Sequence, residues 1–226
     1  MSTTKPLPIP NTPVPDSQPR KRVILTMGGK GGVGKTNFIL SVAEWLQANE
    51  IPFKLLDLDT ENKVRGSLKH YFHGSAEKID IHTDAGLDAF IDYLDQGPPI
   101  LLADMGSGSG QVTYEWFNTM YESARDLGIV FTAIGIVTPD PASVESVLNW
   151  ARQLQQRVEY IIVENAIVKK PNFDYWRNSE QAEEFRRVFQ PATIQMAYRL
   201  AELENAARQH GKLSVKWPGA RRRLQS

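Results

Sequence analysis

Short apolar runs alternate along this chain with stretches whose apolar residues recur every three or four positions. After Arg22, the run Val23-Ile24-Leu25-Thr26-Met27 stops at Gly28 and Gly29, the pattern of a buried strand feeding a glycine-rich turn. Phe38, Ile39, Val42, Ala43 and Leu46 then fall at helical spacing, so one face of that segment can pack on a sheet. The pattern predicts a second strand over 53–58, an amphipathic helix over 86–94 and a third strand over 99–104. A polar helical stretch near 112–124, a strand over 128–137, a helix from about 141 to 155 and a strand over 158–163 follow. Residues 172–189 predict a charged, aromatic-bearing helical insert, ahead of a last strand over 192–196 and a helix through 206–210. Strands that alternate with helices build βαβ units, so the expected fold is α/β, a parallel central β-sheet with helices on both faces.

The first 20 residues break this pattern. Pro6, Pro8, Pro10, Pro13, Pro15 and Pro19 stand among small polar residues that offer little to bury, which predicts a disordered Pro-rich arm over 1–20. The folded domain is expected over 21–211, followed by a basic tail over 212–226. With 41% hydrophobic and 23% charged residues, the composition suits one soluble core. Lys+Arg 26 balances Asp+Glu 26, so a nucleic-acid or membrane contact has to come from a local patch. The absence of cysteine excludes disulfides, thiolate zinc sites and iron-sulfur clusters. No stretch approaches the roughly 20 apolar residues of a membrane span, and the N-terminus lacks the apolar run of a secretory signal; a cytoplasmic location is the expectation.

Chemistry concentrates where the first strand meets the first helix. Gly29 to Thr36 fits the phosphate-loop pattern G-x-x-x-x-G-K-[ST] between a strand and a helix. Glycines let successive backbone N–H groups turn inward, Lys35 supplies a charge for the β- and γ-phosphates, and the Thr36 hydroxyl can ligate Mg²⁺. The helix N-terminus adds partial positive charge. The nucleotide-binding set is therefore Gly29, Lys30, Gly31, Gly32, Val33, Gly34, Lys35, Thr36 and Asn37. Asp57 and Asp59 lie two residues apart at the carboxyl end of the second strand, on one side of the pleat. Ligands bind outside that end in open parallel sheets, although strand-end carboxylates also cap loops. Ile100-Leu101-Leu102-Ala103-Asp104 has the form of a strand whose terminal carboxylate holds Mg²⁺ through water.

Lys30 makes the pattern more specific. Lys30-Gly31-Gly32-Val33-Gly34-Lys35-Thr36 resembles the deviant Walker A motif of the ParA/MinD family of P-loop ATPases. That resemblance implies ATP and Mg²⁺ as cofactors. It further implies a homodimer formed with ATP, in which Lys30 reaches the partner's phosphates; a solvated turn lysine is the plainer alternative. Asp57-Leu58-Asp59 resembles the family's switch I, implying Asp59 as the hydrolytic, metal-proximal residue and Asp57 as its support, with Thr60 where the family commonly has proline. The metal set is thus Thr36, Asp59 and Asp104, and the catalytic set Lys30, Lys35 and Asp59. Met105 to Gly110 takes the place of switch II, again without the usual proline. Asn165 stands where the family reads adenine; capping a loop is the equal alternative. Pro191 and the stretch 203–212 look like the family's closing strand, helix and glycine stop, so the resemblance spans about 23–211.

The resemblance implies a slow, partner-stimulated ATPase with an unidentified activating protein. Plasmid or chromosome partition, conjugative transfer and positioning of an assembly are the candidate roles, and the layout is similar to ParA-like proteins of conjugation systems such as the TraL type. A dethiobiotin-synthetase-like ligase and a non-hydrolysing nucleotide-bound interaction module are the alternatives. Lys212, Lys216, Arg221, Arg222 and Arg223, with Trp217, suit non-specific contact with DNA phosphates or anionic lipid, or else a solvated terminus. Pro218 and Gly219 interrupt any membrane helix there, which disfavours a membrane contact. Phe173, Tyr175, Trp176 and Phe185 of the insert serve either a partner surface or the core. The four histidines have no ligand-like company.

Overall fold

The computed structural model describes residues 21–58, 68, 76–81, 83–106 and 110–198. Seven strands form one parallel sheet: β1 (Arg22–Met27), β2 (Phe53–Asp57), β3 (Ala76–Lys78), β4 (Ile100–Asp104), β5 (Val130–Val137), β6 (Glu159–Asn165) and β7 (Ala192–Met196). The helices between them are α1 (Lys35–Ala48), α2 (Asp84–Gln96), α3 (Gly110–Asp126), α4 (Pro141–Leu154), α5 (Asp174–Asn178) and α6 (Glu180–Phe189). The spatial order is β3-β2-β4-β1-β5-β6-β7, with every pairing parallel. From β1 the chain crosses outward to β2 and β3, returns to β4, and then continues on the far side of β1. The order therefore reverses around β1, and the crevice this leaves lies at the carboxyl end of that strand.

Both faces are covered, as the near-continuous apolar strands require. Val23, Leu25 and Met27 point into the larger cluster, where Phe117, Phe131, Trp150 and Phe90 pack. On the other face α1 lays Ile39, Leu40, Ala43 and Leu46 against Leu55 and Leu102, and its Phe38, with Val33 of the preceding turn, packs against Ile134, Ile136 and Val163. Gly135 permits close approach of α4, since a Cβ there would meet Met27, Ile162 and Val147 side-chain atoms at 2.7 to 2.8 Å. Asp140 starts α4 by accepting the Ala142 N–H at 3.0 Å, with Pro141 at the first helical position.

The alternation of strands and helices matches the pattern read from the sequence, with two differences. Ala76–Lys78 forms an edge strand of one apolar and two charged residues, too short and polar to register as a periodic run. The strand expected over 158–163 runs to Asn165, so Glu164 and Asn165 belong to β6 and project to opposite faces. The insert is helical as expected and divides into two helices at Ser179. Phe173, Trp176 and Phe185 are buried in the larger cluster, so core packing is their use, while Tyr175 is half-buried and bonds Glu145 at 3.1 Å. The helix expected over 206–210 and the two terminal segments, 1–20 and 212–226, lie outside the described residues.

Candidate functional site

The crevice at β1 is filled by the turn from Gly28 to Gly34. Gly28, Gly32 and Gly34 all have φ between 74° and 102°, a conformation L side chains avoid, so the glycine spacing is a backbone requirement of this loop. Gly34 caps α1 without a side chain, and its carbonyl accepts the Phe38 N–H at 3.0 Å. The loop therefore ends on the first turn of α1, where unpaired N–H groups and the helix dipole favour an anion. Lys35 is 8% exposed and its ammonium donates to the Lys30 carbonyl at 3.0 Å, tying the two ends of the loop together.

On the β4 side the loop meets carboxylates. Thr36 Oγ1 donates to Asp104 Oδ2 at 2.6 Å, and Thr26 Oγ1 donates to Asp104 Oδ1 at 3.2 Å while accepting the Met105 N–H at 2.9 Å. Asp104 and Asp57 are register partners on adjacent strands, and both are buried. Burial pushes the Asp104 carboxyl up to about 6; the Thr36 and Thr26 hydroxyls oppose the rise, the Asp57 charge adds to it and Lys35 reduces it. Thr36 spends its proton on Asp104, which leaves its oxygen lone pairs available to a cation. Among the described residues no group of three or more carboxylate and imidazole side chains is gathered to hold a metal. The donor set here suits Mg²⁺, which takes few protein ligands and completes its shell with water and phosphate oxygens.

On the β5 and β6 side the contacts are neutral or exposed. The Lys30 N–H donates to Ser146 Oγ at 3.2 Å, and the Lys30 ammonium lies 3.1 Å from Asp140 Oδ2, with both side chains nearly half exposed. The Ala142 N–H and then Lys30 hold the Asp140 carboxyl below its ordinary range. The Asn165 amide nitrogen donates to the Val33 carbonyl at 2.8 Å. Glu164, its neighbour in β6, faces the opposite side of the sheet: its buried carboxylate takes Arg177 of α5 at 2.7 Å and Gln195 of β7 at 3.4 Å. The Arg177 guanidinium lies over the Phe173 ring and Arg186 over Trp176, and the insert packs on the face of the sheet opposite α1.

Of the residues the sequence singled out, the fold gathers the Gly29 to Asn37 segment, Asp57, Asp104 and Asn165 at one end of the sheet. Asp59 and the middle of the second switch segment, 107–109, lie outside the described residues. Sequence reading missed Thr26, Ser146 and Asp140. Thr26 left a signal, a hydroxyl inside an apolar strand. Ser146 and Asp140 left none, because they reach the loop from a helix more than 100 residues further along.

No protein-family model matches the chain, nor does any curated protein sequence. Solved structures do match. A nucleotide-binding protein of Archaeoglobus fulgidus in complex with ADP superposes with a TM-score of 0.54 at 19% identity, over 86% of this chain and 88% of its own. The MinC:MinD cell division protein complex of Aquifex aeolicus gives 0.52 at 15% identity, over 85% and 86%. MinD of the same organism gives 0.51 at 16%, over 85% and 87%. The fold is thus the α/β parallel-sheet fold of these MinD-type P-loop proteins.

Proposed function

We propose that the chain is a Mg-ATP-dependent switch that dimerises with ATP and is released by its own slow hydrolysis. The observation that carries this reading is the phosphate loop: a glycine turn closed by Lys35, with Thr36 hydrogen-bonded to a buried strand-end aspartate, on a fold shared with proteins described as nucleotide-binding and as MinD. In this reading loop N–H groups and Lys35 hold the phosphate chain. Thr36 and Asp104 would hold Mg²⁺, with Asp59 as the further oxygen donor of the set. Bound Mg²⁺ would supply charge neutralisation to the β- and γ-phosphate oxygens.

Lys30 is the residue that turns a nucleotide site into a dimer switch. It is held on Asp140 of its own chain by an exposed ion pair, which costs little to open. Released, it would reach a phosphate in a second copy. Asp59 would place the attacking water. Partition, conjugative transfer and positioning of an assembly are the processes in which such a switch would serve, with a protein partner that accelerates hydrolysis; non-specific DNA contact would fall to the tail over 212–226. The decisive experiment is sedimentation without nucleotide, with ADP and with ATP, on the wild type and Asp59→Ala. A dimer that forms only with ATP and persists in Asp59→Ala is expected. A mass indifferent to nucleotide would instead support an ATP-using ligase or a structural-nucleotide module.

A further inference from the structure

We propose that Asn165 is a positioning residue for the phosphate loop, acting through the Val33 carbonyl, so that it governs affinity for a phosphate chain whatever base the chain carries. This rests on the nucleotide reading above and assigns to Asn165 a role other than base recognition. Two separate contacts carry it. The Asn165 amide donates to Val33 O at 2.8 Å across 132 residues of sequence. The same nitrogen lies 2.6 Å from where a Cβ on Gly34 would stand, so the amide occupies the space beside the loop that Gly34 leaves open.

The consequence follows from peptide geometry. The Val33 carbonyl and the Gly34 N–H belong to one planar trans unit and point in opposite directions. Holding the carbonyl toward β6 directs the Gly34 N–H away from β6, and with it fixes the φ of 102° at Gly34, the residue that opens α1. The backbone that carries the amide is itself paired. Asn165 ends β6 in register with Met196; the Ala166 N–H donates to the Met196 carbonyl at 2.9 Å and the Ile167 N–H to the Asn165 carbonyl at 3.0 Å. Alternation along the strand turns Asn165 to the α1 face, with Val163, whereas Glu164 goes to the other.

Calorimetric titration of the wild type, Asn165→Ala and the near-isosteric Asn165→Asp with Mg-ATP and with Mg-tripolyphosphate, which has no base, tests this role. Loss of one hydrogen bond predicts that Asn165→Ala weakens both ligands by the same factor, about 3- to 10-fold. Asn165→Asp, which sets a carboxylate against a carbonyl, is expected to weaken both at least as much. Weakened ATP with unchanged tripolyphosphate would overturn the proposal in favour of a base contact, as would no change in either. Wild-type protein that binds neither ligand overturns the nucleotide reading, and this role with it. Should Asn165→Ala fail to fold, Asn165→Asp carries the test. Amide hydrogen exchange over 33–36 without nucleotide provides a second measurement: faster exchange in the variant is expected, and unchanged exchange overturns the proposal.

Discussion

The two halves of the sheet meet the phosphate loop with different chemistry. On the β4 and β2 side, two buried carboxylates, Asp104 and Asp57, stand on adjacent strands, and Asp104 is held by the hydroxyls of Thr26 and Thr36. On the β5 and β6 side the loop rests on a hydroxyl and an amide, Ser146 and Asn165, and the ion pair there, Lys30 with Asp140, is exposed. A buried carboxylate costs stability and gives a cation somewhere to bind; neutral hydrogen bonds shape a loop without that cost. The first half is organised for charge and the second for geometry.

The largest expected effect lies at the loop shared by both halves. Lys35→Ala removes the buried ammonium that closes the loop and that, in the proposed function, would hold the phosphates; it is expected to weaken ATP binding at least about 100-fold by calorimetry, as loss of charge-assisted bonds to phosphate predicts. Binding within tenfold of wild type would mean the loop does not hold phosphates through Lys35.

Asp104→Asn breaks the charged half specifically, with opposite effects on stability and binding. The Asp104 carboxyl is raised from 3.8 to about 6 in the folded protein, a penalty for ionisation of about 3 kcal/mol. Because the folded form then binds more protons than the unfolded chain between about pH 4 and 6, stability falls as pH rises through that window, and the penalty is complete above it. Asp104→Asn is expected to raise the melting temperature of nucleotide-free protein at pH 7.5 by several degrees and to flatten the decline between pH 4 and 6. It is also expected to lower the Mg-dependent part of ATP affinity about tenfold. An unchanged pH profile of melting would remove the buried carboxylate from the account.

Arg177→Ala sharpens the comparison from the far face of β6. It leaves the Glu164 carboxylate, 7% exposed, without its cation, while Arg177 itself is about half exposed, so solvent offsets part of the loss. We expect destabilisation of about 1–2 kcal/mol by denaturant titration, with ATP affinity changed less than about twofold. A large loss of ATP affinity would show that the two faces of β6 are not independent. The smallest structural effect belongs to Asp140→Asn, whose amide oxygen still caps α4 while the charge that faces Lys30 is removed. It is expected to leave the melting temperature within about a degree of wild type, yet to lower the ATP concentration at which dimer appears by freeing Lys30. If sedimentation shows the same ATP dependence as wild type, Lys30 is not restrained by Asp140.

Much of this molecule was set by local pattern. Buried parallel strands must be apolar runs and their covering helices amphipathic, so β1, β2, β4, β5 and most of β6 stood out in the sequence, and the glycine spacing of 28–34 announced a backbone that only glycine adopts freely. Asp104 was legible for the same reason, as a carboxylate closing an apolar run. The three-residue edge strand was not, since two of its residues are charged and a period needs length to be seen. Nor were Ser146, Asp140 and the Asn165 contact to Val33, because each reaches the loop across more than 100 residues. Those pairings depend on strand order, which places β5 and β6 on the opposite side of β1 from β4. Residue spacing along a chain carries the period of an element; which side chains from distant elements share one end of a sheet is decided only when the strands are laid side by side.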